Sequence, residues 1–139
     1  MKDNNPVLQK SKTFAIRCVR LYQFLTSEKR EKILSAQLLR SGTSIGANVK
    51  EGARAQSTAD FLSRMQIALK EASETEYWLE LLMETDYITE KAAESILNDC
   101  RELIRLITAI VKTTKENNQL TMYEPTGNDT GLTLWNYKL

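Results

Sequence analysis

The stretch STADFLSRMQIALKEASETEYWLELLMETD, residues 57–86, decides the fold. Within it Phe61, Met65, Ala68, Ala72, Thr75, Leu79 and Leu82 are separated by alternating four and three residues. On an α-helix that spacing returns each side chain to the same face, so the seven form one stripe. Leu62, Leu69 and Met83 widen it on one flank, whereas Trp78 and Leu81 point to another side, which implies a helix that buries more than one face. Ser57 with Asp60 three residues later fits a capping box at the start. At about 1.5 Å per residue the helix spans roughly 40 Å.

The same period continues on both sides of this stretch. Downstream, Thr89 is placed to cap a helix whose stripe is Ile96, Cys100, Leu103, Ile107 and Ile110, flanked by Leu97, Ile104 and Val111. Upstream, Phe14, Cys18, Leu21 and Leu25 mark a first helix, widened by Ala15, Tyr22 and Phe24. The linker Ser27-Glu28-Lys29-Arg30 is polar and short, so the second helix is expected to return beside the first. Leu34, Leu38, Ile45 and Val49 form its spine.

The middle of the second helix, Ser41-Gly42-Thr43-Ser44-Ile45-Gly46-Ala47-Asn48, consists of poor helix formers, and each glycine costs about 1 kcal/mol against alanine. Gly42 and Gly46 share a face four residues apart, which lets another helix approach their backbone. Gly42, Ser44, Gly46 and Asn48 are therefore the candidate close helix contact; the other reading is a helix break at Gly42. Heptad spacing in neighbouring helices implies side-by-side packing at about 20°. The expected fold is all-α, an antiparallel up-down four-helix bundle over residues 8–117, with helices at about 10–27, 31–53, 58–86 and 90–116.

Residues 118–139 are expected to be a tail. Pro125, Gly127, Asn128, Asp129 and Gly131 mark turns or disorder. The last eight residues, Leu132 to Leu139, are nevertheless apolar and aromatic, and Trp135 and Tyr137 offer large buried area with a polar handle. Docking on its own bundle or a neighbouring subunit, binding another protein, and simple disorder are the three readings.

Composition restricts the chemistry. Among 139 residues there is no histidine, which removes His-based acid–base catalysis, Ser-His-Asp and Cys-His nucleophiles, and the Glu-x-x-His di-iron sites of some bundles. Two cysteines, Cys18 and Cys100, fall inside apolar stripes and cannot make a Cys-rich zinc site. Glu71 with Glu74, and Glu90 with Glu94, are acids on adjacent turns; solvated faces or ion pairs explain them without a substrate pocket. No catalytic residue, metal site or cofactor is expected, and no enzyme activity. The polar N-terminus lacks an apolar signal region, and no apolar run approaches the roughly 18 residues of a membrane span. A cytoplasmic protein without membrane contact is expected.

The net charge of +1 conceals an asymmetry: residues 1–54 carry eleven Lys or Arg against four acids, and residues 55–139 carry eight against fourteen. Lys10, Arg17 and Arg20 fall along one side of the first helix, and Lys29, Arg30 and Lys32 cluster at the first turn. These six are the candidate nucleic-acid-binding residues, since sequence-independent affinity comes mostly from cations neutralising phosphates. Ordinary helix pairing within the bundle accounts for the same charges equally well.

One segment carries a resemblance. Leu38-Leu39-Arg40-Ser41-Gly42-Thr43-Ser44-Ile45-Gly46-Ala47-Asn48-Val49-Lys50-Glu51-Gly52-Ala53-Arg54, with Phe61 to Met65 and Ala68 to Leu79, closely resembles the bacterial four-helix bundle proteins encoded within intervening sequences of large-subunit ribosomal RNA genes. The resemblance covers about residues 8–115, and Avd, the accessory protein of diversity-generating retroelements, is similar in fold. It implies a homopentameric barrel and, for Avd, association with a reverse transcriptase and with RNA or DNA; the biochemical role of the intervening-sequence members is undefined. The implied function is a non-enzymatic homo-oligomeric bundle associated with nucleic acid. The alternative is an adaptor that docks a partner enzyme such as a reverse transcriptase, without touching nucleic acid itself.

Overall fold

Asn5 sets the first helix boundary. Its side-chain oxygen accepts the Val7 N–H at 3.0 Å, and Pro6 takes the first helical position, where a missing N–H costs nothing. In the computed structural model, which describes residues 5–123 and the side chains as far as Asn118, α1 runs Pro6–Ser27. It begins four residues before the Lys10 start read from the periodicity, because a proline that breaks a helix interior can open a helix.

The second boundary is set by an acid. Glu31, expected as the first residue of the helix, instead accepts the N–H groups of Ile33 and Leu34 on one carboxylate oxygen at 3.0 and 2.9 Å. Its other oxygen accepts Ser35 N–H at 2.8 Å. Three donors that a helix start leaves unpaired are thereby satisfied, and α2 runs Leu34–Ala53. Burial pushes the Glu31 carboxyl up; the backbone donors of Leu34, Ser35 and Ile33 outweigh it and hold the group below its ordinary value of 4.5. The glycine run does not break α2, which is continuous through Gly42 and Gly46.

α3 runs Thr58–Glu84, opened by Ser57, whose hydroxyl accepts the Asp60 N–H at 3.1 Å. It stops two residues before Asp86. Asp86 adopts φ 64° and donates to Met83 O at 3.0 Å, while Tyr87 N–H donates to Leu82 O at 2.9 Å, a left-handed cap that turns the chain sharply. Thr89 accepts the Ala92 N–H at 3.2 Å and starts α4, which runs Glu90–Tyr123. Residues 118–123, read as the beginning of the tail, are helical because no Gly or Pro intervenes before Pro125.

No strand occurs among the described residues. α1 packs on α2, α2 on α3, α3 on α4, and α4 closes the ring on α1. The stripes read from the sequence meet inside it: Phe14, Leu25, Leu38, Ile45, Met65 and Leu79 are buried. Trp78 packs against this core from the flank, with Tyr77 edge-on at 5.1 Å. Cys18 and Cys100 are buried free thiols, not a disulfide. No helix of the described residues is long and apolar enough to cross a membrane.

Candidate nucleic-acid interface

The six candidate cations separate into two groups. Lys10 and Arg17 project from α1 onto α4. Lys10 Nζ lies 2.8 Å from Glu102 Oε1. Arg17 Nη1 donates to Asp99 at 2.6 Å, and its Nη2 donates to the Ser95 hydroxyl at 3.0 Å. Both positive charges are therefore met by carboxylates one helix away, and what they offer an external phosphate is reduced.

Arg20, Lys29, Arg30 and Lys32 are exposed and make no ion pair with any described residue. Three of them sit on the turn between α1 and α2. Arg30 holds φ 54°, a left-handed conformation, and Lys29 Nζ stands 6.0 Å from the centre of the Phe24 ring. Four uncompensated cations are thus gathered around the last turns of α1 and the connection that follows. The ring edge and the turn spread them outward, which suits phosphate neutralisation better than an internal salt bridge.

The small residues of α2 resolve differently. Gly42 lies against Cys18 of α1: a Cβ there would meet the Cys18 Cβ at 3.0 Å and press into its sulfur. At Gly46 a Cβ would stand 3.3 Å from the Ser11 carbonyl oxygen. The close contact made by these two glycines is therefore with α1 of the same chain. Ser44 and Asn48 bond along α2 itself, Asn48 Nδ2 donating to Ser44 O at 2.9 Å and to its hydroxyl at 3.1 Å. Gly52, not singled out from sequence, gives α3 a similar approach, with Arg64 Cβ 3.4 Å from the position of a Cβ. Its position was readable only as one more poor helix former near a helix end.

The acid pair Glu71 and Glu74 grips Arg40 across the α2–α3 seam; the Glu71 contact is 3.2 Å and Glu74 makes the closer one. The Arg40 hydrogen bond holds the Glu74 carboxyl below the ordinary carboxylate range. The Trp78 indole N–H has no acceptor at hydrogen-bond geometry, yet it lies near enough to Glu74 to help keep that carboxyl low. Glu90 and Glu94 are exposed. Burial pushes both thiols up to about 12, so Cys18 and Cys100 stay protonated and unreactive at neutral pH. Among the described residues no group of three Cys, Asp or Glu is arranged to hold a metal ion. Trp135 and Tyr137, the candidate tail-docking residues, lie outside the described residues.

Known structures and families place this geometry. A crystal structure at 1.70 Å of a protein of unknown function from the S23 ribosomal protein family of Bacteroides thetaiotaomicron is 57% identical. It superposes with a TM-score of 0.76 and covers 76% of this chain and 98% of its own. No protein with a curated description matches. The profile of the 23S rRNA-intervening sequence protein family matches residues 3–109, the part that folds into the ring of helices, and the chain belongs to that family.

Proposed function

We propose that this chain is a non-enzymatic helical bundle that self-associates in the cytoplasm and binds RNA or DNA through the cations at the end of α1. The observation that carries it is the set Arg20, Lys29, Arg30 and Lys32, exposed and without carboxylate partners among the described residues. One such patch binds weakly; a ring of copies repeats it and gains avidity. Self-association, with the five copies implied by the family resemblance, is supported by apolar surface that the single chain leaves bare. Ile33 is 78% exposed and Tyr77 57%.

An up-down antiparallel course of the helices is supported by how the contacts pair. Ser11 faces Gly46 and Cys18 faces Gly42; Lys10 reaches Glu102 while Arg17 reaches Asp99 and Ser95. Arg40 meets Glu71 and Glu51 meets Arg64. In each pair of helices, moving forward on one moves backward on the other.

The test is a titration of the purified protein into labelled structured RNA and duplex DNA over a range of salt concentrations. Binding that weakens steeply with salt, and that is lost when Arg20, Lys29, Arg30 and Lys32 are changed to Glu, is the expected result. The matched control changes Lys10 and Arg17 to Ala, which should leave binding within about twofold because those charges are already partnered. Absence of binding at low salt would move the function to protein partners. The bare Ile33 and Tyr77 favour that second reading, an adaptor for an enzyme such as the reverse transcriptase that accompanies Avd.

A further inference from the structure

A cleft of about 580 Å³ opens where the end of α1 meets the turn between α3 and α4. Its walls are apolar, with Leu21, Phe24, Met83 and Ile88 among the lining side chains. Its rim is acidic: Glu84, Asp86 and Glu90 line it against the single cation Lys29. A half-open apolar trough with an excess of carboxylates fits a short segment that brings aromatic side chains and a positive charge. Leu132-Thr133-Leu134-Trp135-Asn136-Tyr137-Lys138-Leu139 has that character; Lys138 is its one charged side chain. The volume is of the size that holds two or three large side chains.

The length of the chain decides which copy can supply the segment. α4 leaves the cleft at Glu90 and ends at Tyr123 after 34 residues. At 1.5 Å per residue its far end stands about 50 Å from where it began. Twelve residues separate Tyr123 from Trp135, and even a fully extended strand of that length reaches at most about 43 Å. Pro125, Gly127 and Gly131 favour turns on the way and shorten it further. Trp135 of one chain therefore falls short of the cleft in the same chain, while nothing limits its reach to a second copy.

We infer that the 132–139 segment of one copy seats Trp135 and Tyr137 in the cleft between α1 and the α3–α4 turn of another copy. Lys138 then lies at the carboxylate rim. The contact is head-to-tail, so each copy gives a segment and receives one, and repetition closes a ring or builds an open chain. The segment lies beyond residue 109, where the family match ends, so this contact is a property of this chain added to the shared bundle. It deepens the self-association part of the proposed function and is independent of nucleic-acid binding.

The test uses the full chain with the photo-reactive p-benzoylphenylalanine in place of Ala92, a cleft-lining residue, and in a second preparation in place of Thr89 in case the first fails to fold. Isotopically light and heavy preparations are unfolded together, refolded, irradiated and mapped by mass spectrometry, and the mass of the assembly is measured by sedimentation. The expected result is cross-links from the cleft to residues 132–139, about half joining a light chain to a heavy one. Trp135→Ala with Tyr137→Ala should lower their yield at least tenfold. Cross-links confined to chains of one isotope would mean that the segment docks on its own bundle, and absence of cross-links to it would remove it from the cleft; either overturns the inference. An assembly that keeps its mass without mixed cross-links would leave self-association standing and fail only the tail contact. A monomer at every concentration would fail both.

Discussion

α1 makes two seams, and they are built on opposite principles. Towards α2 it approaches bare backbone: Cys18 sits on Gly42 and Ser11 on Gly46, with nothing between. Towards α4 it is held on the outside by Lys10–Glu102 and Arg17–Asp99, pairs whose side chains are between 35% and 47% exposed. The first seam has no slack and depends on shape. The second is wet, adjustable and worth little per contact, because exposed ion pairs gain little over their hydrated partners. It is also the side on which the cleft opens. A bundle that must exchange segments with another copy has one seam that can give and one that cannot.

The largest effect is expected at the tight seam. Gly42→Leu places a branched side chain where Cys18 already lies, and should cost about 3 kcal/mol, seen as a lowered midpoint in urea unfolding. Gly46→Leu meets a looser neighbour and should cost about 1–2 kcal/mol. Cys18 gives a local readout: the native thiol should resist alkylation at pH 8 until the chain unfolds, and Gly42→Leu should make it react in native buffer. An unchanged rate would show that the seam had absorbed the substitution.

Between the two seams in size stands the cap that begins α2. Glu31→Gln removes a charged acceptor from three N–H groups and should cost about 1 kcal/mol at pH 7. Glu31 titrates below 4.5 in the folded chain, so its contribution is complete above that value and is lost as the pH falls through the folded value. Wild type and variant should therefore converge in stability in acid; a constant difference at every pH would assign the loss to packing. The smallest effect belongs to the wet seam. Arg17→Ala should cost about 0.5 kcal/mol, less in high salt, whereas the Gly42→Leu loss should not depend on salt.

Much of this was legible in the sequence because apolar side chains at helical spacing have one low-energy arrangement. The stripe from Phe61 to Leu82 is the buried face of α3, and Ser57 and Thr89 cap the helices they were expected to cap. Helix ends were less legible where one residue type has two uses. Pro6 opens α1, and Glu31 reads as helical from its propensity although its carboxylate is needed one turn ahead. The partners of surface charges were not legible at all. Nothing in the order of residues says that Arg17 meets Asp99, since that pairing exists only after four stripes have met. The glycines announced a close contact without saying whose; the structure assigns it to α1. The candidate binding residues were therefore halved in meaning, two drawn inward as ion pairs and four left to face outward.

The seat of the Cys18 sulfur over Gly42 has a consequence for how this sequence can change. Neither position is free alone: a methyl added at 42 strikes the sulfur, and the sulfur fills the space that the absent methyl leaves. Gly42→Ala together with Cys18→Ala moves roughly one atom's volume from one side of the seam to the other, and should recover most of what Gly42→Ala loses by itself. The two positions, 24 residues apart in the chain, are inherited as one.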